Sequence, residues 1–454
     1  MKLSKSNKLE LQDGSQIAVI GGGPAGSFFA YFALDFAKRL DIDIHIDIYN
    51  AKDFSCRGPL GCNHCGGIIS ESLIQQLSTE GIVLPSSVIR RGIQSYAMHF
   101  EQGSALIDTQ FHEQRIVSMF RGIGPLGSED NEQKSFDNYL LDMSEKSGAS
   151  IYLDKVIDME RHKDGIVVKT KGSIEKKYDL VIGAVGLDKK AFQLFKKINP
   201  AFVEPKTTKT YIAEFKLDHE KINEYFGNSM HVFLLNQANI KFGALIPKGH
   251  FVTLVLLGNN IDKKVVSSFL ESKTVGKCFP PGVDINSIMP CQCYPSINIK
   301  GAKSAFADRV LLIGDSASSK LYKNGIGAAY VAAKAAARTV IFNGISEKEI
   351  KRHYLPTCVE LDRDNLIGKL IFIVTTVIQR SGILKRGVLR MVIKEQQKDE
   401  SKRIMSSVLW NTFTGSAPYS GILKQTLMPA FIANLIKHSV IGIFQKNISY
   451  EIRN

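Results

Sequence analysis

The chain has 454 residues, too many for one simple core, so two or three domains are expected. Its 44% hydrophobic and 22% charged residues are those of an ordinary folded protein, and seven cysteines in this length exclude a dense secreted disulfide framework. The net charge is +14, and from Ser346 onward 17 Lys and Arg stand against 9 Asp and Glu, so about +8 lies in the last quarter; this suits anionic lipid, nucleic acid or an acidic partner, or a plain solvated surface.

Met1 to Gln12 is polar and basic with no apolar segment, so no secretory leader is expected and the compartment reads as cytoplasmic. Gln16–Ile20 is a short apolar strand, Gly21–Gly26 a glycine-rich turn, and Ser27 to Leu40 an apolar helix. Ile42–Tyr49 alternates Ile with polar residues, the period of a strand. Ser55–Gly67 has no periodicity and reads as a loop. Ser135–Ser147 reads as a helix, and Ile151–Tyr178 as hairpin strands with an Asp164-Gly165 turn. Leu180–Ile182 is a buried strand running into Gly183-Ala184-Val185-Gly186.

Residues 205–300 read mainly as strands, with β-rich runs at Tyr211–Leu217, His231–Leu235, Lys241–Ile246 and Phe251–Leu256. Val310–Ile313 is a further buried strand, followed by Gly314-Asp315 and an alanine-rich helix, Gly327–Ile341. From Ser346 the chain reads as helical and basic. No segment reaches the roughly 18–20 apolar residues of a membrane span; the nearest, Leu366–Ile378, is short and interrupted by Lys369.

Gly21, Gly23 and Gly26 supply a G-x-G-x-x-G spacing after a strand and before a helix. The first glycine permits the tight turn, the second a close approach of backbone to a pyrophosphate, and the third close packing of helix on strand. In this setting the motif reads as a dinucleotide site, with Pro24 and Ala25 completing the turn. Asn50 ends the second strand, where a carboxylate would normally hold the ribose; its amide can still hydrogen-bond a hydroxyl. Gly314-Asp315 closes another buried strand and puts an acceptor where the ribityl hydroxyls of a flavin would lie. Gly325, Ile326 and Gly327 open the helix whose N-terminus would stabilise negative charge on reduced flavin. The pairing of the two motifs points to FAD.

The chain resembles the geranylgeranyl reductase family, within the group of FAD proteins built like p-hydroxybenzoate hydroxylase. The resemblance rests on Gly21–Gly26, Cys65-Gly66-Gly67, Arg121 with Ser135-Phe136-Asp137, Gly183-Ala184-Val185-Gly186, Phe242-Gly243-Ala244-Leu245-Ile246-Pro247 and Gly314-Asp315, and spans residues 16–345. The family pattern has an acidic residue at the position of Asn50, an Asp at Val185 and a Tyr-x-Trp-x-Phe-Pro run where Phe242, Ala244 and Ile246 stand. The resemblance implies an α/β fold: a Rossmann-type FAD-binding domain with an inserted antiparallel-sheet substrate domain, then a C-terminal helical region. The expected boundaries assign 1–90, 121–190 and 301–345 to the FAD domain, 91–120 and 191–300 to the substrate domain, and 346–454 to the helical region.

It further implies reduction of C=C bonds in a prenyl chain, on an isoprenoid lipid, a quinone or a chlorophyll side chain. Gly66, Gly67 and Arg121 would join the FAD site. Phe242, Gly243, Ala244, Ile246 and Pro247 would line the substrate site, reshaped where Ala244 replaces the aromatic. Cys65 would be the catalytic thiol beside the flavin, as proton donor or substrate-positioning group. The electron donor is left open between ferredoxin, reduced nicotinamide and others, since there is only one dinucleotide fingerprint.

Cys56, Cys62 and Cys65 share one loop, and Cys278, Cys291 and Cys293 form a second group. The loop cysteines could be a dithiol, ligands of zinc or an iron–sulfur cluster, or one functional thiol among structural ones. A cluster would favour the rival reading, a flavoprotein passing electrons to a quinone or redox partner. A flavin monooxygenase or halogenase is a further rival, with Trp410 remote in sequence from where a halogenase Trp motif would stand; a non-catalytic flavoprotein subunit is another. In the C-terminal region Leu366, Leu370, Val374 and Val377 follow helical spacing, as do Leu384, Val388 and Met391, with Arg380, Lys385, Arg386, Arg390 and Lys394 nearby. These stripes read either as the core of a helical subdomain or as a face lying peripherally on an anionic membrane. Nucleic acid is not expected, since no binding motif or aromatic interleaving accompanies the basic residues.

Overall fold

The computed structural model describes residues 9–109, 111–126 and 132–444. Most of the polar N-terminus and the last basic residues lie outside these. The chain divides into two compact units.

The first unit comprises the chain up to Cys56, Phe136–Thr207 and Ile297–Arg363. Its six-stranded sheet runs Phe306–Ala307, Val310–Leu312, Leu180–Gly183, Ser15–Ile20, Ile44–Tyr49, Ser150–Tyr152. All neighbours are parallel except the antiparallel edge pair formed by Phe306–Ala307 and Val310–Leu312. Strands covered on both faces read as apolar runs, and Ile17, Val19, Val181, Ile182, Leu311 and Leu312 are all fully buried. The helix Pro24–Arg39 follows the first strand, with Phe28 and Phe32 edge-on to Tyr330 of the helix Gly325–Phe342, each pair at 5.5 Å.

Gly325–Phe342 corrects one expectation from sequence: by length and composition alone it is apolar enough to cross a membrane. Its alanines carry the hydropathy, and in the structure Ala332, Ala333, Ala336 and Ala337 are buried in this unit. Two bent helix pairs, Leu355–Arg380 with Gly382–Glu395 (104°) and Tyr419–Thr426 with Pro429–Phe444 (65°), pass the same test if each pair is taken together.

The second unit comprises Arg57–Ser135, Thr208–Ser296 and the chain from Asp364. Its seven-stranded sheet runs Cys291–Cys293, Tyr211–Lys216, Phe251–Gly258, Ile240–Lys248, Ser229–Phe233, Ser95–Phe100, Gly103–Asp108. It is antiparallel except between Ser229–Phe233 and Ser95–Phe100. Tyr211, Ala213, Phe215, Leu254 and Leu256 face a core shared with Phe269 and Phe279.

The units differ from the boundaries expected from sequence. Residues 57–90 and 121–135 belong with the second unit; the strands Ile68–Ile69 and Ile89–Ile93 both pair with Ile116–Met119 there. Residues 191–207 belong with the first, because the helix Lys189–Ile198 buries Phe192 and Phe195 in its core. Residues 346–363 also stay with the first, where the Tyr354 hydroxyl donates to the Leu312 carbonyl at 3.3 Å.

The two C-terminal stripes behave differently. Val388 and Met391 are buried, as core packing requires, while Leu366, Leu370, Val374 and Val377 are 46–65% exposed. The chain bends sharply between these helices, so stripes of one sequence period take different surroundings. On Pro429–Phe444, Ile432, Ile436, Val440 and Ile443 form a second exposed apolar stripe.

Candidate functional site

In the first unit the glycine turn is built by steric necessity. Gly21 has φ +106°, and a Cβ on Gly26 would stand 1.9 Å from the Gly21 carbonyl oxygen. Only two glycines allow the strand to end and the helix to begin at this separation. Gly23 is the helix N-cap and Pro24 occupies the first turn; among the described residues no side chain caps the helix and no carboxylate stands in its first turn. The turn therefore presents amide groups and the positive end of a helix, the environment a pyrophosphate needs.

Asn50 is tied to the glycine turn. Its Oδ1 accepts from the Gly22 amide at 3.1 Å and its Nδ2 donates to the Lys52 carbonyl at 2.5 Å. The side chain is buried and braces the glycine turn. The second motif comes to the same place. A Cβ on Gly314 (φ +64°) would lie 2.8 Å from Ala25 Cβ, so the Gly314-Asp315 turn packs directly on the glycine turn 289 positions earlier. The Asp315 carbonyl accepts from Asn298 Nδ2 at 3.0 Å, which holds that turn. Gly325 and Gly327 open the next helix, whose N-cap Asn324 accepts from the Gly327 amide at 3.1 Å, with Ile326 buried behind. The residues present fit the pyrophosphate and ribityl portions of FAD.

In the second unit the sheet alternation sorts the expected substrate residues. Phe242, Ala244 and Ile246 share one face with Val255, Thr253, Ile212, Glu214, Cys291 and Cys293, as their cross-strand partners require. Gly243 lies on the opposite face, where a Cβ would meet the Phe269 ring at 2.8 Å, and it therefore belongs to the core. The Pro247 carbonyl accepts from Ser118 Oγ at 2.7 Å. Phe413, on Ile404–Thr414, packs on Phe242 at 5.7 Å and on Tyr96 at 5.4 Å.

The Cys65-Gly66-Gly67 loop is laid over this face. A Cβ on Gly66 would be 2.9 Å from Val255 and 3.6 Å from Ile246, and one on Gly67 (φ +66°) would be 2.0 Å from the Met119 carbonyl oxygen and 2.8 Å from Lys248 Nζ. Lys248 belongs to no sequence motif; the signal available for it is its position two residues past Ile246 on the same strand face. It is 1% exposed, its Nζ has no hydrogen-bond acceptor among the described residues, and it sits 4.5 Å from the Phe120 ring. Burial lowers its pKa below the ordinary lysine value, opposed by the Glu214 carboxylate and the Cys65 and Cys62 thiols, with Arg90 adding to the lowering. Burial raises Glu214 in turn, against Lys248 and the Thr253 hydroxyl, which donates to it at 2.7 Å. Burial also pushes Cys291 and Cys293 up to about 12. The face thus combines an apolar floor, a buried amine whose charged form burial disfavours, and the Cys291 and Cys293 thiols kept protonated.

Arg121 is half-buried in the second unit, and its carbonyl accepts from the Ser135 hydroxyl. In the Cys65 loop, Cys62 Sγ accepts from the His64 amide at 3.2 Å and Cys65 Sγ from the Gly67 amide at 3.3 Å. The second sequence group divides, since Cys278 lies in the core behind the sheet.

No family model matches the chain, and no curated protein does. Solved structures share its fold over nearly the whole length. A geranylgeranyl bacteriochlorophyll reductase-like protein from Thermoplasma acidophilum has a TM-score of 0.63 at 13% identity, covering 94% of this chain and 100% of that one. A variant of Klebsiella pneumoniae HpxO, complexed with FAD, has 0.56 at 15%, covering 89% and 99%. The halogenase PltM, in complex with phloroglucinol and FAD, has 0.58 at 10%, covering 96% and 100%. The fold is that of the FAD-dependent oxidoreductases and monooxygenases, with Rossmann-type nucleotide topology.

Proposed function

We propose that the protein is an FAD-dependent oxidoreductase of the geranylgeranyl reductase type, reducing C=C bonds of a prenyl chain. The observation that carries this reading is the Cys65-Gly66-Gly67 loop lying on the apolar floor of Ile246 and Val255, above the buried amine of Lys248. When bound and reduced, FAD supplies a hydride to one alkene carbon. The chain supplies the rest: the floor binds and aligns an apolar chain and excludes water, and the second alkene carbon takes a proton from Cys65 Sγ or from the Lys248 ammonium. A lysine of lowered pKa is the stronger acid of its kind near neutrality.

The test is anaerobic. The protein is reduced with dithionite and mixed with a short polyprenyl alcohol, and flavin reoxidation and the saturated product are followed. Reoxidation with stoichiometric alkene loss is expected. Reoxidation by a quinone analogue without alkene loss would establish the electron-transfer reading, and reoxidation only by oxygen the monooxygenase or halogenase reading.

Peripheral association with an anionic bilayer belongs to the same proposal, since a prenyl substrate is dissolved there. The exposed stripes of Leu355–Arg380 and Pro429–Phe444 and the basic residues near them support it. Each Lys or Arg near such a surface contributes about 1 kcal/mol, screened by salt. Flotation with anionic vesicles is expected at low salt and reduced at high salt; equal flotation with neutral vesicles would remove the electrostatic component.

A further inference from the structure

Away from the face just described, the second unit holds a cluster that no part of that reaction uses. His99 lies on Ser95–Phe100 and His231 on the neighbouring parallel strand Ser229–Phe233, and Cys278 follows the short helix Lys273–Gly276. In register His99 stands opposite Phe233, so His231 lies one pleat along on the same sheet face. All three side chains are at least nine-tenths buried. His99 Nε2 is 3.2 Å from His231 Nδ1, His231 Nδ1 is 3.4 Å from Cys278 Sγ, and Cys278 Sγ is 3.9 Å from His99 Nε2. Among the described residues this is the one group of three His, Cys, Asp or Glu donors close enough to share an ion.

We infer that His99, His231 and Cys278 form a binding site for a thiophilic d10 metal ion, zinc or cuprous copper. Three donors around an ion with metal–nitrogen bonds of about 2.0 Å and a metal–sulfur bond of about 2.3 Å are separated by roughly 3.3–3.7 Å, the scale of the triangle seen. Two imidazoles and one thiolate are the donor set that zinc and copper favour over magnesium or calcium. Ser104 Oγ lies 2.7 Å from His99 Nδ1. With Nδ1–H donating to that hydroxyl, the His99 Nε2 lone pair would turn inward, the outer-sphere arrangement common at histidine metal sites. Phe233 stacks on His99 at 4.8 Å and Phe226 packs on His231 at 4.9 Å, so the rings are held in place and water is kept out. Binding releases the thiol proton to solvent and changes no oxidation state. With one thiolate, cuprous copper gives a neutral centre and zinc a centre of charge +1, so a buried apolar site favours copper unless a fourth ligand enters.

The full-length protein is refolded or expressed with zinc alone, with cuprous copper alone, or with chelator, and metal content is measured after gel filtration. One equivalent of one ion per chain is expected, with a higher Tm than the chelated protein. Cobalt in place of zinc is expected to show a thiolate-to-metal charge-transfer band. Cys278→Ser and His231→Gln are expected to lower the metal content at least about tenfold, while Cys358→Ser keeps it. Should a variant fail to fold, wild-type content and the cobalt band still decide the matter. Less than about a tenth of an equivalent bound under every condition, with a Tm indifferent to metal and chelator, would overturn the inference and leave a hydrogen-bonded core triad. Binding that survives in folded Cys278→Ser would overturn it equally.

Discussion

Gly26→Ala is expected to purify almost free of flavin. The added Cβ would stand 1.9 Å from the Gly21 carbonyl oxygen and 3.1 Å from the Gly21 carbonyl carbon, both backbone atoms that cannot rotate aside. Either the helix Pro24–Arg39 moves away from the strand or the turn opens, and both displace the amides that face the pyrophosphate. Overpacking of this kind costs about 1–3 kcal/mol, which for a compact unit of about 200 residues, such as this one, lowers Tm by about 2–4 °C per kcal/mol. The larger effect is on the cofactor, because the cradle itself is deformed. Gly276→Ala, where nothing lies within 4 Å of the new Cβ, is the control and should keep both flavin and Tm. Asp315→Ala separates nucleotide recognition from turn geometry: losing a charge-assisted hydrogen bond to the ribityl chain costs about 1.5–3 kcal/mol, roughly 10- to 100-fold in affinity. The measurement is visible flavin absorbance per protein, before and after dialysis. Full flavin content in both Gly26→Ala and Asp315→Ala would mean that the cofactor lies elsewhere.

Lys248→Met is expected to slow alkene-driven flavin reoxidation by about 10²–10⁴-fold, the usual contribution of a positioned general acid. The side chain is similar in length and suits its buried site, so the fold and flavin content should survive. The pH dependence carries a sign. The amine must hold its proton to donate it, so the wild-type rate should be flat at low pH and fall as pH rises through the Lys248 pKa. Burial lowers that pKa, so the fall should come below the pH at which an ordinary lysine titrates. In Lys248→Met that limb should vanish. Cys65→Ser should also lower the rate while keeping flavin, and Cys358→Ser should leave it unchanged. If Lys248→Met and Cys65→Ser both turn over at the wild-type rate with an unchanged pH profile, this face is not where the proton enters.

Much of the first unit is legible in the amino-acid sequence alone. The strand at Ser15–Ile20, the glycine spacing, the helix and the alternating Ile44–Tyr49 are local patterns, written within a few residues of one another. Periodicity and steric demand at Gly21 and Gly26 act at that range, so the nucleotide-binding topology follows from them. Gly314-Asp315 is legible as a motif for the same reason. That it packs on Ala25 is a matter of tertiary structure, because only the stacking of the sheet brings the two turns together.

Asn50 shows what local reading leaves out: its type and place suit a ribose, and the tertiary structure adds that its amide braces the neighbouring turn. Cysteines grouped by sequence spacing are regrouped in the fold: sheet register sets Cys291 beside Glu214, and the packing of a short helix on the sheet brings Cys278 to two strand histidines. Lys248 has the sequence setting of any strand-end lysine, and it is burial that leaves its Nζ without water or, among the described residues, an acceptor. The apolar stripes at Leu366 and Val388 have the same helical period, yet one is exposed and the other buried. Periodicity says that a helix has an apolar side; only the packing of the other elements decides whether that side is covered.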